Sequence, residues 1–125
     1  MRLLALVAFS GGVGTALRYL VGIAGLRAGY TQVPVGTFAV NVIGSFALGF
    51  LARYFAPPHG STTVFAALTV GLCGGFTTFS TFALDLFGMV ERHQVGRAMS
   101  YAVASVLFSY SALAVGIVLA RTLRP

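Results

Sequence analysis

The chain reads as an all-α integral membrane protein with four transmembrane helices. Three observations lead there. Of its 125 residues, 58% are hydrophobic and only 8% charged, with a mean hydropathy of +0.93, whereas soluble domains carry about 25% charged residues. The hydrophobic residues fall into four runs, each close to the ~20 residues that a helix needs to cross a bilayer. What is left over is short loops and tails, so residues 1–125 are expected to form a single transmembrane domain without a soluble one.

The first span is expected at about residues 3–26. Met1-Arg2 ahead of it resembles the start of a signal peptide, but the apolar region runs on too long and more spans follow, so it is read as retained. Gly11, Gly12, Gly14 and Gly22 within it suit close approach of another helix. A loop with Arg27, Gly29, Tyr30, Gln32 and Pro34 leads to the second span, about 35–55. Pro57-Pro58-His59-Gly60-Ser61 is the clearest turn. The third span, about 63–89, is interrupted near Gly74-Gly75, where two adjacent glycines loosen the backbone. Glu91-Arg92-His93-Gln94 is a polar connector to the fourth span, about 97–120, and Arg121-Thr122-Leu123-Arg124-Pro125 is a short tail.

All eight basic residues are arginine, and the only acids are Asp85 and Glu91. The arginines are scattered singly among apolar segments rather than gathered on one face, which argues against nucleic acid as a partner and for interfacial anchors in the lipid bilayer. With four spans, one side of the membrane holds Arg2, Arg53, Arg121 and Arg124; the other holds Arg27, Arg92 and Arg97, with Arg18 near it. This near balance gives no firm orientation under the positive-inside rule. Either a small bias suffices, or the chain inserts both ways and pairs as an antiparallel dimer. Four short helices can hardly enclose a pathway alone, which favours the dimer. Cys73 is the only cysteine, so no disulfide forms within the chain.

The run Phe76-Thr77-Thr78-Phe79-Ser80-Thr81-Phe82 after the glycine pair carries four hydroxyls and three phenylalanines. In hydrocarbon, backbone that loses its helical partners is tolerated only where it is buried in protein or lines a polar site. Thr37, Asn41 and Ser45 recur every four residues in the second span, and Tyr101, Ser105 and Ser109 do so in the fourth. Residues four apart share a helix face. Such stripes are either interhelical glue or a polar file. Their hydroxyls and amide can donate to an anion or accept from a cation. Phe79 and Phe82, three apart, share a face, and Phe76 is three before Phe79; such rings either pack or turn their positive edges to an anion. Carbonyls freed near Gly74-Gly75 and Thr77-Thr78 would suit a small cation such as Na⁺; a plain glycine kink is the other reading. Arg18 either snorkels to the interface or makes a positive vestibule. Asp85, one turn after Phe82, pairs with an arginine or sits at a pore mouth. His59 and His93 lie in loops with no metal-ligand spacing.

The motif Gly74-Gly75-Phe76-Thr77-Thr78-Phe79-Ser80-Thr81-Phe82, with Asn41 and Arg18, resembles the CrcB-type fluoride channels, also called Fluc. The resemblance spans essentially the whole chain. It implies an antiparallel, dual-topology homodimer in the cell inner (plasma) membrane, with two fluoride pores and a structural Na⁺ at its centre. It implies that fluoride leaves the cytoplasm passively, which lowers its toxicity. The pore phenylalanines fall on Phe79 and Phe82 and the pore asparagine on Asn41. Ser80 and Thr81 match the polar residues beside the rings. Tyr101, Ser105 and Ser109 match a polar track that Thr37 extends, and Arg18 matches the vestibule arginine. The Na⁺ ligands fall on the backbone carbonyls of Gly74 and Thr77. Asp85 stands where the family usually has glutamate.

Other classes fit less well. A small proton-coupled exporter of drug cations needs a carboxylate deep in a span, and the first span has none. A non-conducting assembly subunit accounts for the glycines and hydroxyls as packing, but not for a helix interruption that coincides with two polar stripes. An enzyme is not expected, because no catalytic set stands out.

Overall fold

The structure, a computed structural model, describes residues 1–30, 33–58 and 60–124. Gln32, His59 and Pro125, read above as loop, turn and tail, lie outside the described residues. Helix α1 (Arg2–Arg27) is followed by α2 (Val35–Tyr54). The third span begins as α3 (Thr62–Ala66), widens into a π-helical segment (Ala67–Cys73), tightens again as α4 (Gly74–Phe76), and resumes after a break as α5 (Phe79–Glu91). Helix α6 (Val95–Leu123) ends the described chain. Four helical stretches, Arg2–Arg27, Val35–Tyr54, Thr62–Glu91 and Val95–Leu123, are long and apolar enough to cross a membrane, and no strand occurs among the described residues.

The interruption of the third span is not at the glycine pair. Gly74 has helical dihedrals, φ −63° and ψ −37°. The chain straightens at Thr77 (φ −82°, ψ 161°) and Thr78 (φ −153°, ψ 123°), three residues later. The glycines serve a different need. A Cβ on Gly75 would land on the Gly11 carbonyl, and one on Gly14 would land on the Leu72 carbonyl, 2.8 Å from the Phe76 nitrogen. Both glycines therefore let α1 and the first half of the third span lie backbone to backbone, as small residues do at helix crossings in membranes. Val7 and Ser10 lie against Gly71, and Thr15 against Gly75, so these two segments run parallel.

A second parallel pair joins α2 to α6. Phe38 meets Phe108 edge-on at 5.8 Å at one end. In the middle, a Cβ on Gly49 would strike the Leu113 carbonyl, and one on Gly116 the Phe46 carbonyl. At the far end Arg124 Nη1 donates to the Tyr54 carbonyl at 2.6 Å, and its guanidinium lies 5.2 Å over the Tyr54 ring. That contact satisfies a carbonyl in the last turn of α2 with a cation, the charge that this end of a helix dipole favours.

Between α5 and α6 the chain turns in a Schellman-type closure. The Gln94 amide donates to the Met89 carbonyl and His93 to that of Val90, both at 2.9 Å, with His93 at φ 59°. The turn returns α6 against α5, where Met89, Ala98 and Tyr101 are buried with Phe38, Phe82 and Leu86 packed on them. Many large apolar side chains of this single chain are exposed, Leu4, Phe9 and Tyr110 among them, as a bilayer or a second copy requires.

Candidate functional site

The site is built around the break. In a continuous helix the Thr78 amide would donate to the Gly74 carbonyl and the Thr81 amide to that of Thr77. Instead Thr78 N–H donates to Asn41 Oδ1 at 2.8 Å, and Asn41 Nδ2 donates to the Thr78 carbonyl at 3.0 Å. The Thr81 amide donates to Thr78 Oγ1 at 3.2 Å, so Thr78 is the side-chain N-cap of α5. Its hydroxyl also donates to Thr81 Oγ1 at 3.1 Å and lies 3.4 Å from Ser80 Oγ. Below the break, the Thr77 hydroxyl and amide both donate to the Cys73 carbonyl at 3.0 Å. Thr15 Oγ1 of α1 reaches the Gly75 carbonyl at 3.4 Å. The break takes the helical donors from the carbonyls of Gly74, Gly75, Phe76 and Thr77; Thr15 serves that of Gly75, and those of Gly74 and Thr77 are among the rest. These are hard oxygen ligands of the kind that unwound membrane helices offer to Na⁺, so the residues fit such an ion.

The start of α5 then fans out its side chains. Phe79 is 80% exposed in the single chain, while Phe82 is half-buried. Their ring centres are 5.8 Å apart, and Phe82 lies 5.4 Å from the Tyr101 ring. Ser80 and Thr81 are on the exposed side. The α6 stripe does point inward: Tyr101 is 6% and Ser105 5% exposed, and Ser109 is half-buried. Thr37 from α2 stands beside both the Tyr101 hydroxyl and the Asp85 carboxyl. Tyr101 Oη, Ser105 Oγ and Asp85 Oδ2 are buried with no hydrogen-bond partner among the described residues. Buried hydroxyls are rarely left so. The Phe82 ring, two hydroxyls and the Thr37 side chain therefore make one polar file between α2, α5 and α6.

Thr37 also lines a cavity of about 450 Å³ together with Arg18, Thr78, Thr81 and Asp85 among others. Arg18 and Asp85 share this cavity, yet no salt bridge joins them among the described residues. Among the described residues Asp85 pairs with no arginine; it lines this cavity beside Thr37.

Of the expected site residues, Asn41, Thr81 and Thr77 meet at the break, and Phe82, Thr37, Tyr101 and Ser105 meet in the file. Ser109 lies two turns further along α6 than Tyr101, and Phe79 faces outward. Two roles were missed by the sequence reading. Thr78 is the capping residue, and its place three before Thr81 at the start of an apolar helix is an N-cap signal that was available. Thr15 touches the break from another span, and nothing local marks it.

Comparison with known proteins bears on this arrangement. Residues 5–117 match the family described as CrcB-like protein, Camphor Resistance (CrcB). The fluoride-specific ion channel FluC of Caulobacter vibrioides (strain NA1000 / CB15N) is 44% identical over 124 residues, 97% of each chain. The protein of the same name from Agrobacterium fabrum is 40% identical over 121 residues, 96% of this chain and 97% of that one. Fluoride-specific ion channel FluC 1 of Nitrobacter hamburgensis is 44% identical over 118 residues, 94% of each. These relatives are named ion channels rather than enzymes, and the four apolar spans make the chain a multi-pass protein of the bacterial plasma membrane. Matched along nearly all of its length, the chain belongs to the CrcB-like family.

Proposed function

We propose that this chain is a fluoride-selective passive ion channel that lets fluoride escape the cytoplasm and so lowers its toxicity. The observation that carries this reading is the buried polar file: the Tyr101 and Ser105 hydroxyls, without partners, beside the Phe82 ring. The names of the relatives support the same ion. Fluoride is small and tightly hydrated. A narrow path must offer it donors before it leaves water, and O–H groups do this. Positive ring edges at Phe79 and Phe82 add attraction without a fixed cation, so the ion is held weakly enough to move on. Asn41, Thr37, Ser80, Thr81 and Ser109 extend the donor set on either side. Arg18 in the cavity concentrates anions at the mouth.

In this reading the working unit is an antiparallel, dual-topology homodimer with two pores. The outward-facing Phe79 supports it, since a pore wall formed by that ring needs a second copy. A structural Na⁺ at the dimer centre would be held by the Gly74 and Thr77 carbonyls of both copies. When bound, it neutralises the oxygen cluster that the two breaks create.

Purified protein in liposomes, with a K⁺ ionophore to balance charge, tests the reading. Rapid fluoride release with no chloride release is expected. No release from a folded dimer would return the polar file to interhelical glue. Arg18→Gln is expected to slow fluoride uptake by up to about 10-fold at low ionic strength. The deficit should shrink as salt rises past ~0.1 M, where the screening length falls to about 10 Å. A deficit independent of salt would make Arg18 a structural anchor.

A further inference from the structure

We propose that, within the channel reading above, Asn41 is a positioning residue: it holds the third span broken at Thr78 rather than serving chiefly as a donor to the passing ion. The side-chain amide of asparagine has the chemistry of a peptide group, one carbonyl and one N–H₂. Asn41 presents both to the single residue Thr78, accepting from its N–H at 2.8 Å and donating to its carbonyl at 3.0 Å. This is the exchange that paired residues of an antiparallel ladder make, carried out by one side chain from a neighbouring span. Thr78 is 8% exposed, and its extended backbone (φ −153°, ψ 123°) offers neither group to its own helix.

Without Asn41 the cheapest remedy is local. The Thr78 amide returns to the Gly74 carbonyl, and α4 and α5 fuse into one helix. Fusion would re-occupy the Gly74 carbonyl, withdraw the Thr78 cap from α5 and rotate Phe79 and Phe82 relative to the rest of the span. Asn41 makes the broken form competitive because it satisfies both groups where water is absent. Thr15, at 3.4 Å from the Gly75 carbonyl, is a weaker second latch from α1. Once Thr78 is served, the Asn41 amide keeps one N–H for other partners, so lining the path and holding the break are compatible.

The test uses full-length protein with ¹³C,¹⁵N-labelled threonine in bilayers, read by solid-state NMR. Wild type should show Thr78 Cα and Cβ shifts in the extended range. In Asn41→Val those shifts should move to the helical range. Wild-type Thr78 shifts in that variant would overturn the proposal. Where Asn41→Val does not fold, Asn41→Asp decides. Its carboxylate still accepts from the Thr78 amide but cannot donate, so the Thr78 amide shift should stay and its carbonyl shift should move. An unmoved carbonyl shift overturns the proposal. None of these shifts depends on flux, so a wild-type protein that failed to release fluoride would sink the channel reading while leaving the latch to be judged separately.

Discussion

Fluoride flux is expected to fall by about 10-fold in Phe82→Ile while the subunits stay folded and assembled. Phe82 is the ring that joins two parts of the site: its centre is 5.8 Å from Phe79 and 5.4 Å from Tyr101. Isoleucine keeps the apolar volume that packs on Met89 and Tyr101 but removes the quadrupole. Contacts that use the ring quadrupole are worth about 0.5–1.5 kcal/mol, and about 1.4 kcal/mol on a barrier is tenfold in rate. The assay is liposome efflux beside a size-exclusion profile of the same preparation. Flux at the wild-type level in a folded Phe82→Ile dimer would remove this ring from the conduction path. A matching loss in Phe82→Tyr, which keeps the ring, would point instead to sterics.

The second large effect is on stability. Gly49→Ala should destabilise the fold by about 1–3 kcal/mol, the usual range for forcing extra volume into a packed interior. The obstacle is the Leu113 carbonyl, part of a helix backbone that cannot rotate away. The same logic holds for Gly116→Ala against the Phe46 carbonyl. Gly88→Ala is the control: no atom lies within 4 Å of its Cβ position, and alanine is the better helix former by up to about 1 kcal/mol. Thermal unfolding in detergent should rank Gly88→Ala at or above wild type and Gly49→Ala well below. Equal behaviour of the two would mean that the α2 and α6 seam yields easily.

The four spans could be read from the sequence because hydropathy is a property of runs, and each run was long and bounded by arginine, proline or a polar turn. The inward stripe of Tyr101 and Ser105 could be read because spacing four fixes a helix face. The break was harder. Two adjacent glycines look like a weak point, yet Gly75 is needed to admit the Gly11 backbone, and it stays helical. The chain opens instead at Thr77–Thr78, where a β-branched pair is followed by a capped helix start. Asn41 was placed on the correct polar face, but its partner lies 37 residues away. No local pattern states that an amide on one span will serve the peptide of another. The Tyr54–Arg124 contact spans 70 residues and is hidden for the same reason.

The glycine seams have an energetic side as well as a steric one. At Gly49, Gly116, Gly14 and Gly75 a carbonyl oxygen of the facing helix occupies the place where a Cβ would stand. In glycine that place belongs to a Cα hydrogen, so each meeting is a Cα–H···O contact, worth ~0.5–1 kcal/mol net. Two such contacts hold α2 to α6, and two hold α1 to the first half of the third span. Parallel helices side by side align their macrodipoles, which repel one another, and lipid supplies no hydrophobic force to offset this. The carbonyls pointed at glycine methylenes are therefore a source of cohesion in their own right: at these four points each parallel pair adheres through its own peptide groups, in addition to the side-chain contacts elsewhere along the seam.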